Sequence, residues 1–378
     1  MKEVYILGGL RSHIGLKNGI YKNILPEILG SEVLKALINK YNLTNVDEII
    51  CGNAVGTGGN ITRLMALNAG ISDEVPAITI DMQCASSSAS IDIAFSKIRS
   101  GQSDLIIAGG FESSSTQPIR AYNKNDLRYN EENPNFSVAQ FSPGEIGEDV
   151  MLRGAERIIQ NENISKEELD FWTLVSHKRA KKAKDEGILN DIIFSVNKSF
   201  CDEGIREKIN QRLLDRMKPL LNEGGKLTAG NTCLINDGAA FVVLCSKEFL
   251  LRSRMKPKAK IIKTTLCGGN PLISPASTIK ATDKLLDSVN LKYTDISAFE
   301  FNEAFGVIDV MFQRKNQHLI NRYNILGGAL AYGHPYGASG VIIMLHLLKS
   351  LEKVDGKYGV SAIAAAGGVA SAILIKMV

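Results

Sequence analysis

Three side chains of the sequence stand among neighbours that suit reactive chemistry: Cys84, His334 and Asn302. Cys84 lies in "AITIDMQCASSSASIDIAFSKIRSG", where Ala77 to Ile80 reads as a buried strand. Ile91, Phe95 and Ile98 fall at helical spacing, and Gly101 is a natural helix stop. The turn between strand and helix offers unpaired backbone N–H groups and the positive end of the helix dipole. Both favour an anionic sulfur, the form that attacks a thioester carbonyl. A cysteine so placed is equally readable as a small buried hydrophobe. His334 lies in "NILGGALAYGHPYGASG", where glycines crowd the imidazole and Pro335 holds it outside regular helix, as suits a side chain presented in a tight pocket. Asn302 opens "NEAF" at the end of a predicted strand. A buried amide there either fixes a water or donates to a developing oxyanion, or else caps the following helix.

The elements that must position these residues come in two copies. Leu37 to Asn53 reads as a helix end, an "NLTNVD" turn, an apolar strand and Asn; Leu285 to Asn302 gives a helix end, "NLKYTD", a strand and Asn. Cys84 follows Asn53 by 31 residues and His334 follows Asn302 by 32, each at the end of an apolar, strand-like run and before a helix start rich in small residues. "DLIIAGG" at Asp104 to Gly110 and "VSAIAAAGG" at Val360 to Gly368 complete the echo. Three matches in the same order indicate duplication of one βα-rich unit. Related by an approximate two-fold, the cysteine and histidine turns would meet near the pseudo-axis as an activated nucleophile pair. Between the halves, from about Ser114 to Asn231, a polar stretch and then Lys/Glu-rich helical segments form an insertion expected to fold over one face. The basic run Lys178, Arg179, Lys181, Lys182 and Lys184 reads as a solvated helix face.

Composition sets the outer bounds. The 378 residues allow two or three domains, and 44% hydrophobic with 22% charged residues is an ordinary globular balance. A net charge of +4 gives no reason to expect a nucleic-acid or anionic-membrane partner. Met1 to Leu10 reads as a buried first strand and not a signal peptide. Tyr358 to Ile375 is uncharged, yet Gly367 and Gly368 divide it into two buried strands rather than a membrane span. Six cysteines without C-x-x-C spacing suggest neither zinc nor a redox motif, and reduced thiols in the cytoplasm are expected.

Taken together, "QCASS" at Cys84, "GGFESSS" at Gly109, "TAGNTCLINDGAA" at Thr228, "NEAF" at Asn302 and "GGALAYGHPYGASG" at Gly327 resemble the thiolase family, and the likeness runs over the whole chain from "RSHIG" at Arg11. The resemblance implies a duplicated α/β fold of five layers, αβαβα, with an inserted loop domain. Its expected divisions are residues 1–116 with 232–250, the insertion 117–231 that helps bind coenzyme A, and 251–378. It further implies a homodimer or homotetramer, a coenzyme A thioester as substrate, and no metal or other cofactor. Cys84 matches the acyl-accepting cysteine, His334 its activating partner, and Asn302 the residue that orients an oxyanion-hole water. Met151, Arg206 and Cys233 fall where thiolases contact pantetheine or the nucleotide, Cys233 replacing the usual serine. The backbone N–H groups of Cys84 and Ala366 match the second oxyanion hole.

The sequence also departs from the family. A second cysteine, the acid/base for the condensing carbon, is expected before the carboxy-terminal glycines, and its position holds Ala364. Ser87 and Ala366 each replace a usual glycine. An alanine methyl moves no proton, and acid/base help contributes about 100-fold to 10,000-fold. The expected function is therefore acyl transfer from acyl-CoA through Cys84, of the acetyl-CoA C-acetyltransferase or 3-ketoacyl-CoA thiolase type, with weak or absent carbon–carbon condensation. His177, Glu303 and Cys233 stand as candidate replacement bases. Two other readings are acyl transfer to a non-carbon acceptor and a non-catalytic homologue that binds CoA or a partner.

Overall fold

The computed structural model of the chain describes residues 1–144, 147–221 and 224–378. The first half runs through strand β1 (Val4–Ser12), helix α1 (Pro26–Tyr41), β2 (Glu48–Gly52), α2 (Ile61–Asn68), β3 (Ala77–Ile80), α3 (Ser86–Ser100) and β4 (Leu105–Ser113). The chain then leaves for an excursion that includes α4 (Val150–Asn161) and α5 (Lys166–Asp185), and returns as β5 (Asn236–Ser246). The second half comprises β6 (Ala259–Gly268), α6 (Ser277–Asp287), β7 (Ala298–Phe301), α7 (Gly306–Lys315), α8 (Ser339–Val354), β8 (Tyr358–Ala365) and β9 (Val369–Met377).

Strand order exposes the duplication. In the first half it is β3-β2-β4-β5-β1, with β2 parallel to β3 and β4, and β5 antiparallel to β4 and β1. In the second half β7-β8-β9-β6 repeats the last four places with the same directions. The two sheets meet where Val4–Ile6 of β1 pairs antiparallel with Ala259–Ile261 of β6. Helices α3 and α8 lie between them, each touching strands of both halves, while α1 covers the outer face of the first sheet and α6 that of the second. The result is the five-layered α/β arrangement. Covered on both faces, the strands carry nearly continuous apolar runs, and α8 is buried almost all round from Ser339 to Leu348. The division of Tyr358–Ile375 into β8 and β9 follows from Gly367 and Gly368, whose φ of 86° and 78° admit glycine without strain. No helix among the described residues is long and apolar enough to cross a membrane.

Three details differ from the sequence reading. β3, expected to be buried, is the edge strand of the sheet and leaves Ile78 exposed. The run before His334 is not a strand: it reduces to a single parallel bridge between Tyr323 and Phe299, then the short helix Ala329–Tyr332. Asn324 and Gly327, with φ of 42° and 80°, break the extended path. The two glycine pairs also do different work. Gly367 and Gly368 make the β8–β9 turn, whereas Gly109 and Gly110 lie within β4. The second-half counterpart of the long excursion is thus that tight turn.

The halves touch through backbone. A Cβ on Gly110 would stand 1.9 Å from the Gly337 carbonyl oxygen, three residues beyond His334. Val341 N–H donates to Ser87 Oγ at 3.1 Å, and the Ser88 and Ser371 hydroxyls share a hydrogen bond of 2.7 Å. We expect Gly110→Ala to cost about 1–3 kcal/mol or more, read as a lower denaturant midpoint at unchanged slope. An unchanged midpoint would show that the close approach is relaxed in solution. In the same middle layer, burial pushes His346 down to about 3, with the Arg11 charge adding to the effect. Between its ordinary 6.5 and that value the unfolded chain holds a proton that the folded chain does not, so stability falls as pH falls. His346→Leu should escape roughly 2 kcal/mol of the wild type's loss between about pH 7.5 and about pH 5, and equal losses in the two proteins would contradict this.

Candidate active site

Cys84 sits at the elbow between β3 and α3. Gln83, just before it, has φ of 51°, a left-handed conformation that is strained for a side chain of this size. Local hydrogen bonds hold it: Gln83 N–H donates to Asp81 Oδ1 at 2.8 Å, Met82 N–H to Ser86 Oγ at 2.9 Å, and Ser86 Oγ to the Gln83 carbonyl at 2.6 Å. The sharp reversal projects Cys84 at the N-terminal end of α3. Its sulfur receives the backbone N–H groups of Cys84 itself and of Ala366, so the two halves each contribute one donor.

The expected anionic sulfur is corrected by burial. Desolvation pushes the Cys84 thiol up to about 12, outweighing the two N–H donors, and the nearby Glu112 and Asp81 charges push the same way. At rest Cys84 is therefore a thiol.

His334 lies in the equivalent place, before α8, and is buried. Its Nδ1 is 2.6 Å from Ser339 Oγ, and that hydroxyl donates to the Pro335 carbonyl at 3.1 Å. With its own proton so committed, Ser339 Oγ accepts from Nδ1–H, which leaves Nε2 as the acceptor nitrogen. Asn302 Nδ2 stands 3.4 Å from that Nε2. Asn236 Oδ1 accepts the His334 N–H at 2.9 Å and its Nδ2 donates to the Gly15 carbonyl at 2.9 Å, which anchors the turn to the first half. Burial pushes His334 down to about 3, so the imidazole is neutral around pH 7. Among the described residues no hydrogen bond joins the Cys84 thiol to this ring. Tyr336 links their surroundings: its ring meets the His334 ring edge-on at 5.0 Å, and its hydroxyl feels the charges of Cys84 and Cys233.

The turns are fastened by Glu112, a buried carboxylate at the end of β4. Its oxygens accept Ala54 N–H (2.8 Å), Val55 N–H (3.2 Å) and Asn53 Nδ2 (3.0 Å) from the first half, and Gly337 N–H (2.9 Å) from the histidine turn. Burial pushes this carboxyl up to about 7 against the pull of those donors.

The remaining residues singled out from sequence fall as follows. Met151 is in the first turn of α4 and packs, with Cys233, against the apolar cluster that includes Phe301, Ala304 and Ala364. Arg206 donates its backbone N–H to His177 Nδ1 at 3.1 Å and its guanidinium to the Ala229 carbonyl at 3.4 Å, four residues before Cys233. Cys233 N–H donates to the Ala304 carbonyl at 3.0 Å, beside Asn302. Ala364 is buried in β8 opposite Ala370. Among the basic run, Lys181, Lys182 and Lys184 pair with Asp185, Glu186 and Glu207, as a solvated face should. Sequence reasoning assigned nothing to Glu112, Ser339, Asn236 or Tyr336. Ser339 and Tyr336 stand within five residues of His334, a local signal that was legible, whereas the Glu112 contact spans 225 residues.

Comparison with known proteins agrees with this geometry. Residues 4–248 match the thiolase N-terminal domain and residues 255–377 the thiolase C-terminal domain. YhfS of Bacillus subtilis (strain 168), which carries a provisional acetyl-CoA C-acetyltransferase name, is 34% identical over 98% of each chain. The steroid 3-ketoacyl-CoA thiolase FadA6 of Mycobacterium tuberculosis is 32% identical over 100% of this chain and 94% of its own. The crystal structure of the Bacillus anthracis acetyl-CoA acetyltransferase superposes with a TM-score of 0.93 at 29% identity, covering 100% of this chain and 99% of the other. Human mitochondrial 3-ketoacyl-CoA thiolase in complex with CoA gives 0.92 at 28%, covering 100% and 98%. Two matched domains spanning nearly the full length, on a duplicated fold whose paired turns carry a cysteine and a histidine, establish that the chain belongs to the thiolase family.

Proposed function

We propose that this protein is a thiolase-type acyltransferase that forms an acyl–Cys84 intermediate from an acyl-CoA, in the manner of acetyl-CoA C-acetyltransferases and 3-ketoacyl-CoA thiolases. The observation that carries the reading is the convergence of two equivalent helix-start turns, with two backbone N–H groups directed at the sulfur of one and, on the imidazole of the other, an acceptor Nε2 beside Asn302 Nδ2. Sulfur attacks the thioester carbon as its proton passes to His334 Nε2; the carbon–sulfur bond to CoA then breaks. His334, with a water held by Asn302, stabilises the oxyanion of one half-reaction, and the N–H groups of Cys84 and Ala366 that of the other. A raised thiol beside a lowered imidazole favours proton transfer coupled to attack over a preformed ion pair.

Met151, Arg206 and Cys233 fit contacts to pantetheine or the nucleotide, within the insertion 117–231 and the segment that follows it. The likeness to a CoA-bound thiolase over the full chain supports CoA as the carrier. The edge strand β3, with Ile78 exposed, suits a homodimer or homotetramer, and the cytoplasm is the expected compartment. Ala364 leaves the carbon–carbon step without an acid/base at that position, so acyl transfer is the better supported half of the reaction.

Incubated with acetyl-CoA or acetoacetyl-CoA, the wild type should gain the mass of one acyl group and Cys84→Ala none; an adduct retained by Cys84→Ala would refute the assignment. Glu112→Gln turns an amide N–H₂ toward two of four donors, and should cost at least about 2 kcal/mol and slow acylation of Cys84. Stability and acylation rate unchanged in Glu112→Gln would show that the two turns need no such fastening.

A further inference from the structure

We propose that Cys233 is the proton-transfer residue for the carbon–carbon step, standing in for the cysteine that Ala364 replaces. The inference rests on the acyl-transfer reading above. Its ground is the path of the segment around Cys233. Thr232 bridges to Phe305, Cys233 N–H donates to the Ala304 carbonyl at 3.0 Å, and Ile235 bridges to His334. Cys233 is therefore pinned between the Asn302 segment and the His334 turn, the two sides of the site that flank the thioester. It keeps part of its surface open. Burial first, and then the charge of an ionised Cys84, push the Cys233 thiol up, and Tyr336 feels both sulfurs, so the two thiols lie near one another.

The other candidates are committed elsewhere. Glu303 accepts Ser176 Oγ (2.6 Å), Asn324 Nδ2 (2.7 Å) and Leu330 N–H (3.2 Å) and is buried among them. His177 Nδ1 accepts the Arg206 N–H, and burial pushes that imidazole down to about 4, which makes it a weak base.

The opposition of a Cys84 thiolate to that of Cys233 suits alternate use. While Cys84 is a thiol, its proton goes to His334 and the departing CoA sulfur takes the proton of Cys233. The acyl group then makes Cys84 a neutral thioester, which removes its opposition to the Cys233 thiolate. That thiolate takes an α-hydrogen from a second acyl-CoA; the released electron pair forms the new carbon–carbon bond at the acyl carbon. The carbon–Sγ bond to Cys84 breaks, and its sulfur recovers the proton held on His334. Cys84, His334 and Cys233 all regain their starting protonation states, and the net transfer is of one α-hydrogen to the CoA sulfur.

The test separates the half-reactions in the full-length protein. Acylation of Cys84 is followed by intact mass, and solvent-deuterium exchange at the α-carbon of acetyl-CoA and thiolysis of acetoacetyl-CoA are followed in parallel. Cys233→Ala and the near-isosteric Cys233→Ser should both still form the acyl–Cys84 adduct, slowed for want of the proton to the departing CoA but by far less than exchange and thiolysis, which should fall roughly 100-fold to 10,000-fold. Exchange and thiolysis retained in either variant, or acylation falling in step with them, overturns the proposal, as does a wild type that acylates Cys84 yet exchanges no α-hydrogen. A wild type that never acylates defeats the acyl-transfer reading itself and this step with it.

Discussion

The close approach of two backbone turns, one from each half of a duplicated chain, is the constraint from which the rest of the structure follows. Gly110 and Gly337 meet without room for a Cβ, and the Glu112 carboxylate spans the seam with bonds to Ala54, Val55, Asn53 and Gly337. A carboxylate with four N–H donors tolerates deep burial because its lone pairs are occupied. Loss of that match would free the histidine turn from the cysteine half. The middle layer of α3 and α8 serves the same end, since both helices begin at the seam and bury both faces.

Burial then decides the chemistry. The same packing that brings the turns together raises the Cys84 thiol and lowers the His334 imidazole, so the resting pair is neutral on both sides. The backbone N–H groups of Cys84 and Ala366 are fixed beside the sulfur, and in the proposed reaction they would act on charge that develops only during attack, where preorganised dipoles act most strongly. The Ala366 side chain is no obstacle to this, because the donor is backbone.

Much of this was legible in the sequence, for definite reasons. Helix α3 was readable because its apolar spacing reports burial on one face, and the β8–β9 turn because two adjacent glycines interrupt an uncharged run; the strand before α3 was placed but misjudged as buried, because a short apolar run does not tell an edge strand from a central one. The duplication was readable from Asn42 and Asn290, which both prove to be left-handed helix stops with φ of 45° and 55°. The supposed strand before His334 was misread because an apolar run of that length suits strand and buried loop alike. Glu112 stayed silent because its partners lie across the chain in sequence. The thiol's protonation state depends on how thoroughly the site is packed, which periodicity does not report, so the helix-end argument pointed the wrong way. The bridges of its segment to Phe305 and His334, which favour Cys233 among the three candidates in our proposal, join residues far apart in the chain and left no mark in the sequence.

The central claim, that the half-buried Cys84 thiol becomes a nucleophile only through the imidazole of the opposing turn, is tested most directly by the rate at which acetyl-CoA acylates Cys84 in wild type and in His334→Ala. The account predicts a fall of about 100-fold to 10,000-fold with the fold intact. Equal rates would contradict it.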